Sequence, residues 1–120
     1  MREIPQSAVL VEGYRHRTGE HCASTALRNI LAFHGTELSE GMIFGLASGL
    51  GFLYLRHDDL SPTRMFHGRT ATLESDFGHN TGVGLQDRIE PDDDVAWQIL
   101  RDSIDRGLPV MVSTDTFYMK

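Results

Sequence analysis

A single cysteine, Cys22, lies immediately before a run of residues with clear helical periodicity. A thiol in the first turn of a helix is close to unpaired backbone N–H groups and to the positive end of the helix dipole. Both favour the thiolate, which is the nucleophilic form. Catalysis is therefore one interpretation of this residue. The other is structural, because a free cysteine is often buried and packs as a small hydrophobic side chain.

A thiol nucleophile normally needs a base, usually a histidine that an Asn or Asp side chain orients. His21 is next to Cys22, but side chains of adjacent helical residues diverge, so an ion pair between these two is not expected. His34 falls on the apolar face of the predicted first helix and is interpreted as a structural residue. The other histidines of the later part of the chain lie in loop-like segments and are expected to be exposed: His57, His67 and His79. The sequence assigns no base.

Three further patterns resemble binding sites without matching one. The set His16, His21 and Cys22 lacks the second pair of ligands that a zinc site needs, so no metal is expected. The glycines between positions 45 and 51 lack the preceding strand and the following Lys-Ser/Thr of a phosphate loop, and close helix packing with a helix end explains them better. The acids at 92–94 are interpreted as capping groups of a helix. No cofactor is expected.

The elements that must position Cys22 are predicted from periodicity and from capping residues. Apolar residues at three- and four-residue spacing predict helices, and continuous or alternating apolar runs predict strands. The predicted helices run from Ala23 to Gly35, from a Ser39 cap to Gly49, from about Thr72 to Gly78, and from an Asp92 cap to Gly107. The predicted strands cover residues 52–55 and 64–69 and, as a buried strand, residues 109–115.

Helices come first and strand content rises later, which favours an α+β fold over a doubly wound βαβ array. No linker or repeat divides the chain, so residues 1–120 are expected to form a single domain. The uncharged stretch from Gly41 to Leu55 is shorter than the roughly 20 residues that a bilayer span needs. It is interpreted as buried core, and no membrane association is expected.

The composition limits which binding partners and which cellular compartment are expected for this chain. The chain has a net charge of −6, with seventeen Asp plus Glu against eleven Lys plus Arg. It therefore offers no basic patch for a phosphate backbone, and nucleic acid is not an expected partner. One cysteine forms no intramolecular disulfide, and the first seventeen residues do not read as a signal peptide. A cytoplasmic protein is expected.

Three blocks of the sequence together resemble a known family. They are a His-Cys-x-x-Thr-Ala-Leu block at residues 21–27, a Leu-Ser-Glu block at 38–40 with its glycine-rich sequel, and a Gly-x-Pro-Val segment at 107–110 that leads to an Asp and aromatic residues. From about Gly13 to the last residue, the chain resembles the N-terminal domain family named for butirosin biosynthesis protein H.

The resemblance implies a papain-like cysteine enzyme fold related to bacteriocin-processing peptidases. It implies that Cys22 is the nucleophile of an acyl transfer from the thioester of an acyl carrier protein to a small amine in natural-product biosynthesis. The backbone N–H of Cys22 and a further donor, His16 or His21, would support the oxyanion. The alternatives are peptide hydrolysis by the same thiol and a non-catalytic binding or assembly module in which Cys22 is buried.

The resemblance also implies that the histidine base lies on a strand beyond Lys120. The chain is therefore expected to represent the N-terminal helical part of the papain-like fold without much of the C-terminal sheet, and to be inactive as it stands. An open sheet edge near residues 117–120 would favour self-association.

Overall fold

The computed structural model describes residues 8–114. Two helices, two strands and two further helices follow one another along this part of the chain, so the α+β class predicted from the sequence is confirmed. The elements in chain order are α1 (Cys22–Phe33), α2 (Glu40–Leu46), β1 (Leu50–Arg56), β2 (Arg64–Arg69), α3 (Leu73–Thr81) and α4 (Asp93–Asp105).

The hydrophobic core lies between the first three helices. Helix α1 packs against α2, and α2 packs against α3. The buried apolar residues of this core come from all three helices and from the residue that caps α2: Leu27, Leu31, Ile43, Ala47, Leu73 and Phe77. Full burial of a large apolar side chain is worth about 1.5–3 kcal/mol relative to leaving it exposed. The core therefore holds α1 at a defined position on α2.

The boundaries of the helices follow their capping residues. Ser39 caps α2 as predicted, because its Oγ accepts the N–H of Met42 at 3.1 Å. This helix ends at Leu46 instead of Gly49, and the left-handed residue after it is Ser48, with φ of 50°. Helix α3 continues to Thr81, beyond the predicted end at Gly78. Gly82 terminates it in the left-handed region with φ of 74°, which costs a glycine little.

Strands β1 and β2 form an antiparallel ribbon that the core does not cover. Tyr54 pairs with Phe66, and a register irregularity separates Leu50 from Leu53. Phe52 stacks on Phe66 across the strands with ring centroids 6.3 Å apart, but these side chains are 75% and 73% exposed. The expectation that residues 41–55 are buried core is therefore wrong for the strand. Among residues 8–114, no other element packs extensively on the ribbon.

Helix α4 is amphipathic but only partly covered. Its Asp92 cap is confirmed, since Asp92 Oδ1 accepts the N–H groups of Asp94 and Val95, each at 3.0 Å. No residue of α4 is fully buried, and Trp97 is 61% exposed. The predicted buried strand after it is wrong over residues 109–114, which have no strand structure. Only Met111 of this segment packs against the core.

Within residues 8–114, no helix is long and apolar enough to cross a bilayer. The predicted open edge at residues 117–120 lies outside the described residues, as does residue 115 of the predicted strand.

Candidate functional site

Cys22 is the first residue of α1, and its side chain is exposed. The interpretation in which this cysteine is a buried core residue is therefore wrong. The thiol borders an open cleft of about 440 Å³ between the first half of α1 and the segment that precedes it. The lining residues are Tyr14, His16, Thr18, Gly19, Glu20, His21, Cys22, Thr25, Ala26 and Asn29.

One stripe of α1 forms the helical wall of this cleft. Cys22, Ala26 and Asn29 follow one another at spacings of four and three residues, so they lie on one helix face. Asn29 is 2% exposed, and its Nδ2 donates a hydrogen bond to the carbonyl of Arg17 at 3.0 Å. Its Oδ1 is buried and has no hydrogen-bond partner among residues 8–114. Asn29, the last residue of this stripe along α1, thus carries an acceptor that no described residue uses.

His21 caps α1 instead of facing the thiol as a base. Its Nδ1 accepts the backbone N–H of Ser24 at 3.3 Å, and its ring meets Phe44 edge-on with centroids 4.9 Å apart. A neutral ring that accepts at Nδ1 carries its proton at Nε2. In this state His21 is able to donate a hydrogen bond from Nε2, and its Nδ1 lone pair is already used.

The carboxylate of Glu40, the first residue of α2, binds the N-terminal end of α1. Its Oε1 accepts hydrogen bonds from Ser24 Oγ at 2.9 Å and Thr25 Oγ1 at 2.6 Å, and more weakly from the His21 N–H at 3.4 Å. Its Oε2 accepts the Glu20 N–H at 3.1 Å and lies 3.6 Å from Arg28 Nη1. We refer to these contacts as the Glu40 clamp. They join the cleft's loop, the first turn of α1 and the start of α2.

The hydrogen bonds of the clamp lower the pKa of Glu40 from 4.5 to about 2, with the Thr25 hydroxyl as the largest cause and the Glu20 N–H next. Partial burial opposes this change but does not outweigh it. Since the pKa is lower in the folded state, the clamp contributes stability above pH 4.5. That stability is lost as the pH falls through the interval from 4.5 towards 2.

We therefore expect the wild-type protein to lose thermal stability more steeply than Glu40→Gln between pH 5 and pH 2. Circular dichroism melting curves at several pH values measure this difference. Glu90, whose pKa is lowered by its hydrogen bond from Arg88, titrates in both proteins, so the comparison isolates Glu40. Parallel losses in the two proteins would contradict the assigned clamp.

Arg28 fixes the loop on the other side of the clamp. Its Nη2 donates to the carbonyls of Arg17 and Thr18 at 3.0 Å and 2.8 Å, and Asn29 adds the bond to Arg17 described above. Gly19 follows at a point where no side chain fits. A Cβ there would overlap Thr25 Oγ1 and lie 2.6 Å from Glu40 Cδ. The loop that forms the other wall of the cleft is thus held through its backbone groups, which hydrogen-bond to side chains of α1 and α2.

The structure brings the three predicted site residues, Cys22, His16 and His21, to one cleft. Their chemical roles remain predictions. Sequence reasoning missed the Glu40 clamp with its partners Ser24, Thr25 and Arg28. The signal available was Glu40 itself, which follows the Ser39 cap in the Leu-Ser-Glu block and so begins a helix.

The remaining histidines lie outside this cleft. The interpretation of His34 as a structural residue on an apolar face is wrong, because it is the exposed C-terminal cap of α1. The expected exposure of His57, His67 and His79 is confirmed, although His67 belongs to β2 and His79 to α3 instead of loops.

The fold and the site define an α+β domain that presents an exposed thiol at a helix N-terminus, beside a cleft. The chain belongs to the family described as Butirosin biosynthesis protein H, N-terminal, which matches residues 21–120. The match begins at the helix cap, so residues 13–20, which the sequence resemblance included, lie outside it. The family's name gives a natural-product biosynthesis context. Searches of curated proteins and of solved structures found no match.

Proposed function

We propose that Cys22 is the nucleophile of an acyl transfer from a thioester to an amine. The observation that carries this proposal is the exposed thiol at the first residue of α1, in the cleft that His16 and His21 also line. Membership of the butirosin biosynthesis protein H family supports it. In the same proposal, helices α1 to α3 are the nucleophile-bearing part of a papain-like fold.

The chemistry runs in two exchanges. The Cys22 thiolate attacks the thioester carbonyl, a new C–S bond forms, and the donor thiol leaves with the electrons of the old C–S bond. An amine then attacks the acyl-Cys22 carbonyl, a C–N bond forms, and Cys22 leaves as thiolate while the amine proton passes to a base. A thiol suits a thioester donor because the first exchange is nearly balanced in energy.

The oxyanion of each step forms beside the N-terminus of α1, where backbone N–H groups favour negative charge. The backbone N–H of Cys22 is the first proposed donor. The neutral tautomer of His21, with its proton at Nε2, supports a donor role for this ring, and His16 on the cleft wall is the other candidate.

The proposed partners are an acyl carrier protein as thioester donor and a small amine as acceptor. Self-association of the chain also remains a proposal.

The experiment that tests the function is intact-protein mass spectrometry after mixing the folded protein with a synthetic aminoacyl thioester. We expect one acyl adduct, located on Cys22, to form faster than on the same chain unfolded in urea. An added amine should then remove the adduct and yield an amide, whereas an adduct without amide would match the expectation that the chain is inactive as it stands. A double-glycine peptide offered in parallel tests peptide hydrolysis. An adduct rate no greater than that of the unfolded chain would contradict acyl transfer by Cys22.

A further inference from the structure

One face of the β1–β2 ribbon is aromatic and exposed. Successive residues of a strand point to opposite faces, so Tyr54 and its cross-strand partner Phe66 lie on the same face, and Phe52 stacks on Phe66. All three side chains are more than half exposed. On the opposite face, Leu53 and Met65 are half-buried. We refer to the surface that Phe52, Tyr54 and Phe66 form as the aromatic face.

Two arginines lie at one end of the aromatic face. Arg56 pairs with Arg64 across the strands, two residues along from the pair of Tyr54 and Phe66, so both belong to this face. Like charges directly opposite each other in a ribbon are unfavourable. Arg56 has an exposed ion pair with Asp58 at 3.5 Å, and within residues 8–114 Arg64 has none. The aromatic face therefore carries positive charge in a chain whose net charge is −6.

Helix α4 presents a surface of the opposite charge. Trp97 is exposed, and Asp93 and Asp94 lie four and three residues before it, which places them beside it on the helix surface. Neither carboxylate has an ion pair in the part of the chain that the structure describes. Arg101 lies at the other end, four residues after Trp97. We refer to Asp93, Asp94 and Trp97 as the acidic face of α4. In the same copy, α4 does not pack extensively on the ribbon.

The exposed surface is large for a chain of this size. The accessible area is 9996 Å², whereas a compact monomer of 13.4 kDa exposes about 6,500 Å². A standard interface between two proteins removes roughly 800 Å² from each partner, so the excess is several times what a stable dimer needs. Aromatic residues and arginine are enriched at the centre of such interfaces, and the aromatic face has this composition.

We propose that the aromatic face of the ribbon binds the acidic face of α4 in a second copy of this chain, and that two such contacts form a twofold dimer. A second copy is the occupant because one chain carries both halves of the contact, with arginines beside aromatic rings on the ribbon and aspartates beside Trp97 on α4. In a reciprocal pair each copy contributes one ribbon and one α4, so the assembly closes at two copies.

This surface is separate from residues 117–120, at which the sequence predicted an open sheet edge. The inference takes up the self-association proposed above, gives it a surface, and does not depend on the chemistry of Cys22.

The first test is sedimentation equilibrium of the wild-type chain over a series of concentrations. We expect a reversible equilibrium between monomer and dimer without larger species. Trp97 is the only tryptophan in the chain, so its fluorescence reports on the proposed contact without any substitution. As the dimer forms and the indole leaves water, its emission should move to shorter wavelength and iodide should quench it less. In dilute solution, where the dimer dissociates, the aromatic face is exposed and contributes little to the stability of the chain.

Two charge-reversed chains test which surfaces pair. One carries Arg56→Glu with Arg64→Glu, and the other carries Asp93→Arg with Asp94→Arg. Each change should weaken the dimer of its own chain roughly tenfold or more, because like charges then face each other in both contacts. An equimolar mixture of the two chains should form a heterodimer of nearly wild-type affinity, since both of its contacts again join opposite charges.

Arg15→Glu is the control, because it makes the same change of charge at an exposed arginine outside both faces and should leave the dimer unchanged. Circular dichroism establishes that each variant is folded. If a reversed chain does not fold, the fluorescence of Trp97 in the wild-type chain still decides.

Three results would overturn the proposal. One is a wild-type chain that stays monomeric at millimolar concentration, where even a weak specific contact is populated. Another is a dimer in which iodide quenches Trp97 as fully as in the monomer. The third is a mixture of folded, charge-reversed chains that does not associate. None of these results affects the thioester experiment on Cys22, and failure of that experiment leaves the dimer standing.

Discussion

Replacement of Cys22 by alanine is expected to abolish both the acyl adduct and the transfer to an amine. A nucleophile has no substitute in a covalent mechanism, so the rate should fall by roughly a thousandfold or more. The fold should persist, because the side chain is exposed and substitutions at such positions usually change stability by less than about 0.5 kcal/mol. Adduct formation by mass spectrometry and amide formation by chromatography measure the two steps.

The control for this substitution is His79→Ala, which removes an exposed histidine of α3 that lies outside the cleft. It should retain full transfer. Cys22→Ser tests the chemistry more finely, since a hydroxyl is a much weaker nucleophile than a thiolate and should also be inactive. Transfer that survives in the alanine variant would end the hypothesis of a Cys22 nucleophile. Loss of transfer in both Cys22→Ala and His79→Ala would indicate general damage instead.

Phe77→Ala is expected to have the largest effect on stability. Phe77 of α3 is fully buried and is one of the largest side chains in the core between α1, α2 and α3. Truncation of a buried Phe to Ala costs about 3–5 kcal/mol, through lost burial and the cavity that remains. Domains have a total stability of about 5–15 kcal/mol, so much of the margin would be lost. Urea unfolding followed by circular dichroism measures the change.

Phe66→Ala is the matched control. Phe66 lies in β2 and stacks on Phe52, but it is 73% exposed, so its loss should cost about 1 kcal/mol or less. A similar loss of stability in the two variants would show that the ribbon belongs to the core. The expected contrast would confirm that the helices alone carry the core.

The local elements were predictable because their signals are local. Ser39 and Asp92 were identified as caps from residue type and position, and both accept the expected backbone N–H groups. The placement of Cys22 at the start of a helix and the α+β class follow from periodicity in the same way. Membership of the family was also recognisable from short blocks of residues. None of these depends on which elements later meet.

Which elements pack against each other, and therefore which residues are buried, was decided only by the tertiary structure. An apolar run is buried only if another element packs on it, and among residues 8–114 no element packs extensively on β1 and β2. The apolar run at 109–114 also forms no strand, since apolar residues by themselves do not fix a segment as a strand. His34 is an exposed cap instead of a residue of the predicted core face, because α1 ends at Phe33, two residues before the predicted end at Gly35.

For the site too, some features were predictable from the sequence and others appear only in the structure. Cys22 as a candidate nucleophile came from sequence, whereas its exposure came from the structure. The Glu40 clamp joins groups fifteen to twenty residues apart along the chain. No periodicity or motif spacing reports such a contact, because it depends on the packing of α1 against α2. The chemistry of single residues is thus determined by the sequence. The Glu40 carboxylate reaches the N-terminal end of α1 only because α1 and α2 pack together.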